Sequence, residues 1–261
     1  MTTLDRAVTV LRADGVEAGT RTIAVEAPVA IEVDGFGYAV MMMTPADLEA
    51  FAVGFMLTER LADTAADVVA VEPFEAEAGW IVRVALSDRC RGRIHDRVRH
   101  RTSDTSCGLC GLSGLEQLRR PAPRAPTPTT DRAALFAALA ALRDHQPLTA
   151  ATGALHAAAA CASDGAIVAA YEDVGRHNAL DKLVGARAMA GEPIGGFILV
   201  SSRISFEMVD KALVAGAPML VGISAPTSLA IGHAVERGLT LAAIARRDSI
   251  LLVNDPWRVF A

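Results

Sequence analysis

The chain has 261 residues, which at ~100–200 residues per domain allows one large domain or two modest ones. Hydrophobic residues make up 52% and charged residues 21%, so there is ample apolar surface for a packed core. The net charge of −5 argues against nucleic acid as the main partner, because duplex binders carry a broad basic footprint. No run approaches the ~20 uninterrupted apolar residues that a membrane helix needs, so no membrane association is expected. Met1 to Gly19 mixes Asp, Glu and Arg through its apolar positions and has no signal-peptide core. Four cysteines are too few for a disulfide scaffold in a chain of this length, and the expected compartment is the reducing cytoplasm.

In chain order, three short β-type runs come first: Thr20 to Val25, Val29 to Val33 and Tyr38 to Met43. Asp34-Gly35 marks the turn between the last two. Thr44-Pro45-Ala46-Asp47 has the form of a helix start, with Thr44 as N-cap and Pro45 at the first helical position. Leu48, Phe51, Ala52 and Phe55 follow at i, i+3, i+4 and i+7, so one face of that helix is expected to be buried. A further strand, Trp80 to Leu86, precedes a basic block. From Arg89 to Arg101 there are six arginines and two histidines against one acid, Asp96. That block runs almost directly into Cys107-Gly108-Leu109-Cys110. Four prolines in the eight residues from Pro121 to Pro128 exclude helix and central strand and predict a stiff linker. The domain boundary is placed there: an N-terminal α+β domain over 1–120, a linker over 121–130 and a second domain over 131–261.

Beyond the linker the pattern becomes strand alternating with helix. A helix is predicted from about Arg132 to Arg143, then a hairpin of Leu155 to Cys161 and Ile167 to Ala170 turned at Asp164-Gly165. Helices over Asn178 to Met189, Phe206 to Ala215 and Ser228 to Arg237 alternate with strands over Gly196 to Ser201, Met219 to Ile223 and Leu239 to Ile244. Ile250 to Val253 is a candidate edge strand. Strands separated by helical stretches of ~10–15 residues imply a parallel or mixed sheet with helices on its faces.

Ser106 to Gly111 carries the sharpest chemical signal. Its glycines favour a loop or tight turn. Two cysteines at this spacing have three familiar uses: half a zinc site, a dithiol redox pair, or a sulfur-carrying nucleophile. Zinc needs four ligands, and neither a second CxxC nor a suitably spaced histidine pair is present, so no metal is expected. A redox CxxC is expected at a helix N-terminus after a strand near the chain start, whereas this one lies in mid-chain behind arginines. Cations beside a cysteine lower its pKa and favour the reactive thiolate, which fits a nucleophile. An ordinary solvated helix face explains the arginines nearly as well. Cys90 and Cys161 are expected to be packing residues.

A second cluster is Tyr171-Glu-Asp-Val-Gly-Arg-His-Asn178, between a strand and a helix, where open α/β sheets bind ligands. Three similar spots follow apolar strands: Ser201 to Ser205, Ser224 to Ser228, and Arg246 to Ser249. Hydroxyls, arginines and free amides at helix N-termini suit phosphate or pyrophosphate, so Arg176, Ser202, Arg203, Thr227 and Arg246 are candidate ligand residues. His156, which opens the hairpin, is either a ligand residue or a hydrogen-bonded core histidine. Glu172 or Asp173 is a candidate for a guanine N–H edge.

The element order over 155–244 is that of the cytidine-deaminase fold, so a three-layer deaminase-like domain is expected. Zinc deaminases start the first helix with His-x-Glu and the second with Pro-Cys-x-x-Cys. Here those places hold His177-Asn178-Ala179 and Ser202-Arg203-Ile204-Ser205, so zinc-hydroxide deamination is not available.

The chain also resembles the formate dehydrogenase accessory sulfurtransferases, the FdhD family. The resemblance is carried by Thr44-Pro-Ala-Asp-Leu-Glu49 with Gly54-Phe55, the Ser-Cys-Gly-Leu-Cys-Gly loop and Thr152 to Ala158. It extends through Glu172-Asp-Val-Gly-Arg-His-Asn-Ala-Leu-Asp-Lys-Leu183 and Ser201 to Met208. It implies a sulfurtransferase: a cysteine desulfurase gives a sulfane sulfur to the loop, which passes it to the molybdenum (or tungsten) bis-guanine-dinucleotide cofactor destined for apo formate dehydrogenase. The family's persulfide cysteine falls on Cys107, with Cys110 as partner. Its cofactor segment falls on Ile244, Ala245, Arg246, Arg247, Asp248 and Ser249, where this chain departs from the usual Gly, Arg and downstream Asn or Tyr. The resemblance also implies a homodimer. The alternatives are a non-catalytic cofactor-binding chaperone with a structural CxxC, and a redox or zinc protein using the CxxC alone.

Overall fold

The structure, a computed structural model, describes residues 1–94 and 122–260. Cys107, Cys110, Pro121 and the part of the basic block beyond Ile94 lie outside the described residues. The fold is mixed α/β. No helix among the described residues is long and apolar enough to cross a membrane.

The chain begins with an antiparallel ribbon, β1 (Thr3–Arg12) and β2 (Gly15–Ala24), which forms a sheet of its own. Next come β3 (Ala27–Val33) and β4 (Phe36–Met43), joined by Asp34 and Gly35 at φ of 47° and 82°. Two consecutive positive φ values are what a tight turn needs to match the twist of its flanking strands, and Asp-Gly supplies them. Helix α1 (Leu48–Thr58) follows, then β5 (Val68–Ala76) and β6 (Gly79–Leu86), which complete a four-stranded sheet in the order β4-β3-β6-β5. A helical stretch at 88–94 leads to the limit of the described residues.

Residues 122–130 carry neither helix nor strand, as the prolines require. They nonetheless pack on the body of the molecule: Ala122, Ala125 and Thr130 are buried, and the Ala125 N–H donates to the Arg237 carbonyl at 3.0 Å. Then come α2 (Arg132–Ala141), a short 3-10 turn, α3 (Pro147–Thr152), β7 (His156–Cys161) and β8 (Ile167–Asp173). Helix α4 (Arg176–Met189), β9 (Phe197–Val200), α5 (Phe206–Val214), β10 (Met219–Gly222), α6 (Ser228–Arg237), β11 (Thr240–Ala243) and β12 (Leu251–Asn254) finish the chain.

The second sheet has six strands in the order β12-β11-β10-β9-β7-β8. Strands β9, β10 and β11 are parallel; β7 is antiparallel to β9, and β8 to β7, so β8 runs with β9. Every residue of β9, β10 and β11 is buried, as expected of short parallel strands covered on both faces. Alternate side chains go to opposite sides. Ile198 and Val200 join α1, α4 and α5 in one core, while Phe197 and Leu199 pack with Leu135 and Ala138 of α2 in a second. The first core also holds Val29, Ile31 and Val82 of the four-stranded sheet, so residues on both sides of the proline segment share one interior.

Helix α1 begins at Leu48, not at Pro45. Its N-cap is Asp47, in the left-handed region at φ 52°, and no side chain caps it. Thr44, expected as the cap, is instead fully buried and spends its polar atoms on the loop after β8. Strands β1 and β5 and helix α3 are additions to the predicted elements. Pro73 inside β5 removes a ladder donor, which is tolerated because β5 lies at a sheet edge.

Candidate site at the C-terminal edge of the six-stranded sheet

The C-terminal ends of β8, β9, β10 and β11 share one edge, joined there by the first residue of β7, His156. The loops leaving this edge are stitched to one another by backbone bonds. Ile204 N–H donates to the Ala225 carbonyl at 3.2 Å, Thr227 N–H to Ile204 at 3.0 Å, Ile244 N–H to Ser224 at 3.2 Å and Ala245 N–H to Gly222 at 3.1 Å. The predicted segments therefore form one surface.

At the β8 end, Asp173 is fully buried and paired with Lys182 Nζ at 2.7 Å. It also accepts from the N–H of Thr44 at 3.1 Å and of Gly175 at 2.7 Å, and from Asn178 Nδ2 at 3.1 Å. Glu172 likewise turns inward, accepting from the N–H groups of Leu148 and Thr149 at the start of α3. Neither carboxylate presents itself to a ligand. Helix α4 starts after Gly175 with no side-chain cap, so the N–H groups of its first turn keep their positive end toward the edge. Arg176 and His177 occupy that turn, and the buried Nε of Arg176 has no partner among the described residues.

Helix α5 also lacks a side-chain cap at Ser205, whose hydroxyl lies 3.4 Å from His177 Nε2. Burial lowers the His177 pKa to about 4, reinforced by Arg176, Lys211 and Arg203, so the ring is uncharged at neutral pH. His156 is lowered in the same direction by burial and then by Arg176. Burial raises the Glu207 carboxyl, but its own backbone N–H, Ser205, His177 and Arg176 outweigh this and leave it below its usual value. Arg203 is exposed, whereas Ser202 is buried and donates to the Arg203 carbonyl at 3.1 Å.

At the β10 and β11 ends, Thr227 is the N-cap of α6, accepting from Ala230 N–H at 3.4 Å. Ile244 sits at φ 48° and turns the chain out of β11. Ala245 is buried, and the Arg246 guanidinium folds back onto the carbonyl oxygens of Ile223 and Ala245. Arg247, Asp248 and Ser249 are exposed, and the Ser249 hydroxyl donates to Asp248 at 3.1 Å. Asp248 and Ser249 border a cavity of about 450 Å³ with Arg132, Phe136 and Phe260.

The structure thus groups His156, Arg176, His177 and Arg203 at one end of the edge, and Thr227 with Ile244 to Ser249 at the other. Cys107 and Cys110 lie outside the described residues. Sequence reasoning did not single out Glu207 or the cavity residues Arg132, Phe136 and Phe260. Glu207 lies within the Ser201 to Met208 stretch, two residues after Ser205, with nothing to distinguish it there; the cavity residues come from α2 and from position 260, far apart in sequence, and carry no motif. A larger cavity of about 670 Å³, bordered by Arg60, Asp63 and Arg187, lies elsewhere. Its charges are already matched by Asp210, Arg93 and Glu192 respectively.

Residues 24–260 match the FdhD/NarQ family. Curated relatives named sulfur carrier protein FdhD include one from Variovorax paradoxus, 42% identical over 91% of this chain and 86% of that one. Another, from Bordetella parapertussis, is 43% identical over 92% of this chain and 87% of its own length. A third, from Chromobacterium violaceum, is 44% identical over 88% and 87%. Among solved structures, a putative formate dehydrogenase accessory protein from Desulfotalea psychrophila superposes over the full length of both chains with a TM-score of 0.78 at 24% identity, a likeness of fold. The chain belongs to the FdhD/NarQ family.

Proposed function

We propose that this protein is a sulfurtransferase of formate dehydrogenase maturation, carrying sulfur on Cys107 to a guanine-dinucleotide molybdenum or tungsten cofactor. The curated relatives' name supports the sulfur-carrier part of the reading. The observation that carries the cofactor part is the edge itself: the α4 N-terminus, which no side chain caps, with Arg176, His177, His156 and Arg203 beside it. Such a surface is built for phosphate oxygens. From β8 to β11 it crosses four strand spacings, roughly 19 Å, which suits an extended dinucleotide better than a small anion.

In this reading the C-terminal half is a three-layer deaminase-like domain rebuilt to hold the cofactor, and the N-terminal half supplies the sulfur-bearing cysteine. A cysteine desulfurase is the donor. The Cys107 thiolate attacks the outer sulfur of the donor persulfide; a new S–S bond forms on Cys107, and the donor leaves as its thiolate. Resolution by Cys110 releases that outer sulfur to the cofactor at the sulfide level: the Cys110 thiolate attacks the inner sulfur, a Cys107–Cys110 disulfide forms, and a cellular dithiol then reduces it back to the two thiolates. Arg176 and Arg203 take the phosphates. In this reading Asp248, rather than the inward-turned Asp173 or Glu172, accepts from a guanine edge; Phe136 and Phe260 border the same cavity. The cofactor is delivered to apo formate dehydrogenase, and the working form is a cytoplasmic homodimer.

The test is complementation. In a cell lacking its own accessory protein, the wild type restores formate dehydrogenase activity and Cys107→Ala does not. Restoration by Cys107→Ala would leave a cofactor-binding chaperone.

A further inference from the structure

Asp173 is a buried carboxylate that no proposed ligand contact uses, yet it sits directly beneath the α4 N-terminus. We infer that Asp173 is a positioning residue, which fixes the loop before α4 so that Arg176, His177 and the free N–H groups face the anionic ligand. The inference rests on the proposed cofactor site.

The geometry is specific. One carboxylate oxygen accepts from Gly175 N–H at 2.7 Å and Asn178 Nδ2 at 3.1 Å; the other accepts from Thr44 N–H at 3.1 Å and pairs with Lys182 Nζ at 2.7 Å. Thr44 closes the ring from the other side: its carbonyl accepts from Lys182 at 3.0 Å and its hydroxyl from Val174 N–H at 3.3 Å. Asn178 extends it to the Met42 carbonyl at 3.0 Å. The junction of β4 and α1 is thereby bolted to both ends of the Asp173–Asn178 turn.

Two consequences follow for the site. Lys182 neutralises the Asp173 charge inside the protein, so the carboxylate does not repel an incoming phosphate. Asn178 ties the first turn of α4 to the Met42 carbonyl and to Asp173 through its Nδ2, and no side chain caps that helix end.

The experiment measures guanosine diphosphate affinity by calorimetry, with thermal midpoints, for wild type, Asp173→Asn, Thr44→Val and Asp181→Asn. Asp181 is the internal control. It is an equally buried carboxylate on α4, whose partners are Lys211 at 2.8 Å and Thr58 at 2.8 Å rather than the Asp173–Asn178 turn. Expected, well below every midpoint, is affinity weakened by about tenfold in Asp173→Asn, on the scale seen when groups that orient a ligating residue are removed. Thr44→Val is expected to weaken in the same direction, and Asp181→Asn to bind as wild type despite its lower midpoint. If Asp173→Asn does not fold, Thr44→Val against Asp181→Asn decides the question. Folded Asp173→Asn and Thr44→Val proteins that bind as wild type overturn the inference and leave the site reading intact. Affinity losses that simply follow the midpoint in both Asp variants also overturn it. A wild type that does not bind guanosine diphosphate removes the site reading, and the inference with it.

Discussion

Gly54 of α1 and Gly185 of α4 face each other where the two helices cross. A Cβ on Gly54 would stand 1.8 Å from the Asp181 carbonyl oxygen, and one on Gly185 would stand 1.8 Å from that of Ala50. Backbone lies against backbone, so there is no flexible side chain to move aside. This contact joins the N-terminal helix to the helix that opens on the candidate site. Gly54→Ala and Gly185→Ala are each expected to destabilise the protein by about 1–3 kcal/mol or more, as overpacking does. Urea denaturation checks this; a midpoint equal to that of wild type in either variant contradicts the close crossing.

Asp67 anchors the helical stretch at 88–94 that leads toward the cysteine motif. It accepts from the side chains of Arg89, Ser87 and Thr64. The Arg89 guanidinium outweighs burial and, with Ser87 and Thr64, holds the Asp67 carboxyl well below the usual carboxylate range. A carboxyl depressed in the folded state contributes stability above its unfolded pKa of about 4 and loses it as pH falls below that value. Wild type should therefore lose stability steeply as pH drops below about 4. Asp67→Asn should be weaker at pH 7 and flatter through the acid range, read from thermal midpoints. Parallel pH profiles would show that Asp67 does not carry this charge.

His177 gives the site its own pH signature. Its pKa of about 4 in the folded chain lies below the ~6.5 of an unfolded histidine. The stabilising preference for the neutral ring is complete above about 6.5 and is lost as pH falls toward 4. His177→Gln should remove part of the stability loss across that window. A bound phosphate beside the ring opposes the depression, so guanosine diphosphate should bind wild type more tightly at pH 5.5 than at pH 7.5. His177→Gln should flatten that trend; an unchanged trend would place the anion elsewhere.

Much of this architecture is legible in the residues. Asp34-Gly35 specifies its turn because two positive φ values are required, and Ser228 to Arg237 forms helix between those same limits. The apolar runs Phe197–Val200 and Met219–Gly222 are strands because both faces are covered. What was not legible depends on tertiary partners. Thr44 has the sequence of a helix cap, but Asp173 and Val174 claim it from 129 and 130 residues away. Asp173 looks like a ligand residue until Lys182 is seen against it. Strand β1 carries charges among its apolar positions and buries no residue fully, so no periodic core face announces it.

Arg203 is exposed in the middle of the β9–α5 loop and is one of the cations that depress His177. Arg203→Ala should weaken guanosine diphosphate binding and reduce its dependence on salt, with the thermal midpoint unchanged. An Arg203→Ala protein that binds normally removes Arg203 from the site.

The central claim is that Cys107 carries sulfur. Its most direct test is the intact mass of the purified protein after incubation with a cysteine desulfurase and cysteine, for wild type, Cys107→Ala and Cys110→Ala. The account predicts a gain of one sulfur atom that a thiol reductant removes, present in wild type and Cys110→Ala and absent in Cys107→Ala. No gain in wild type, or a gain that survives in Cys107→Ala, would contradict it.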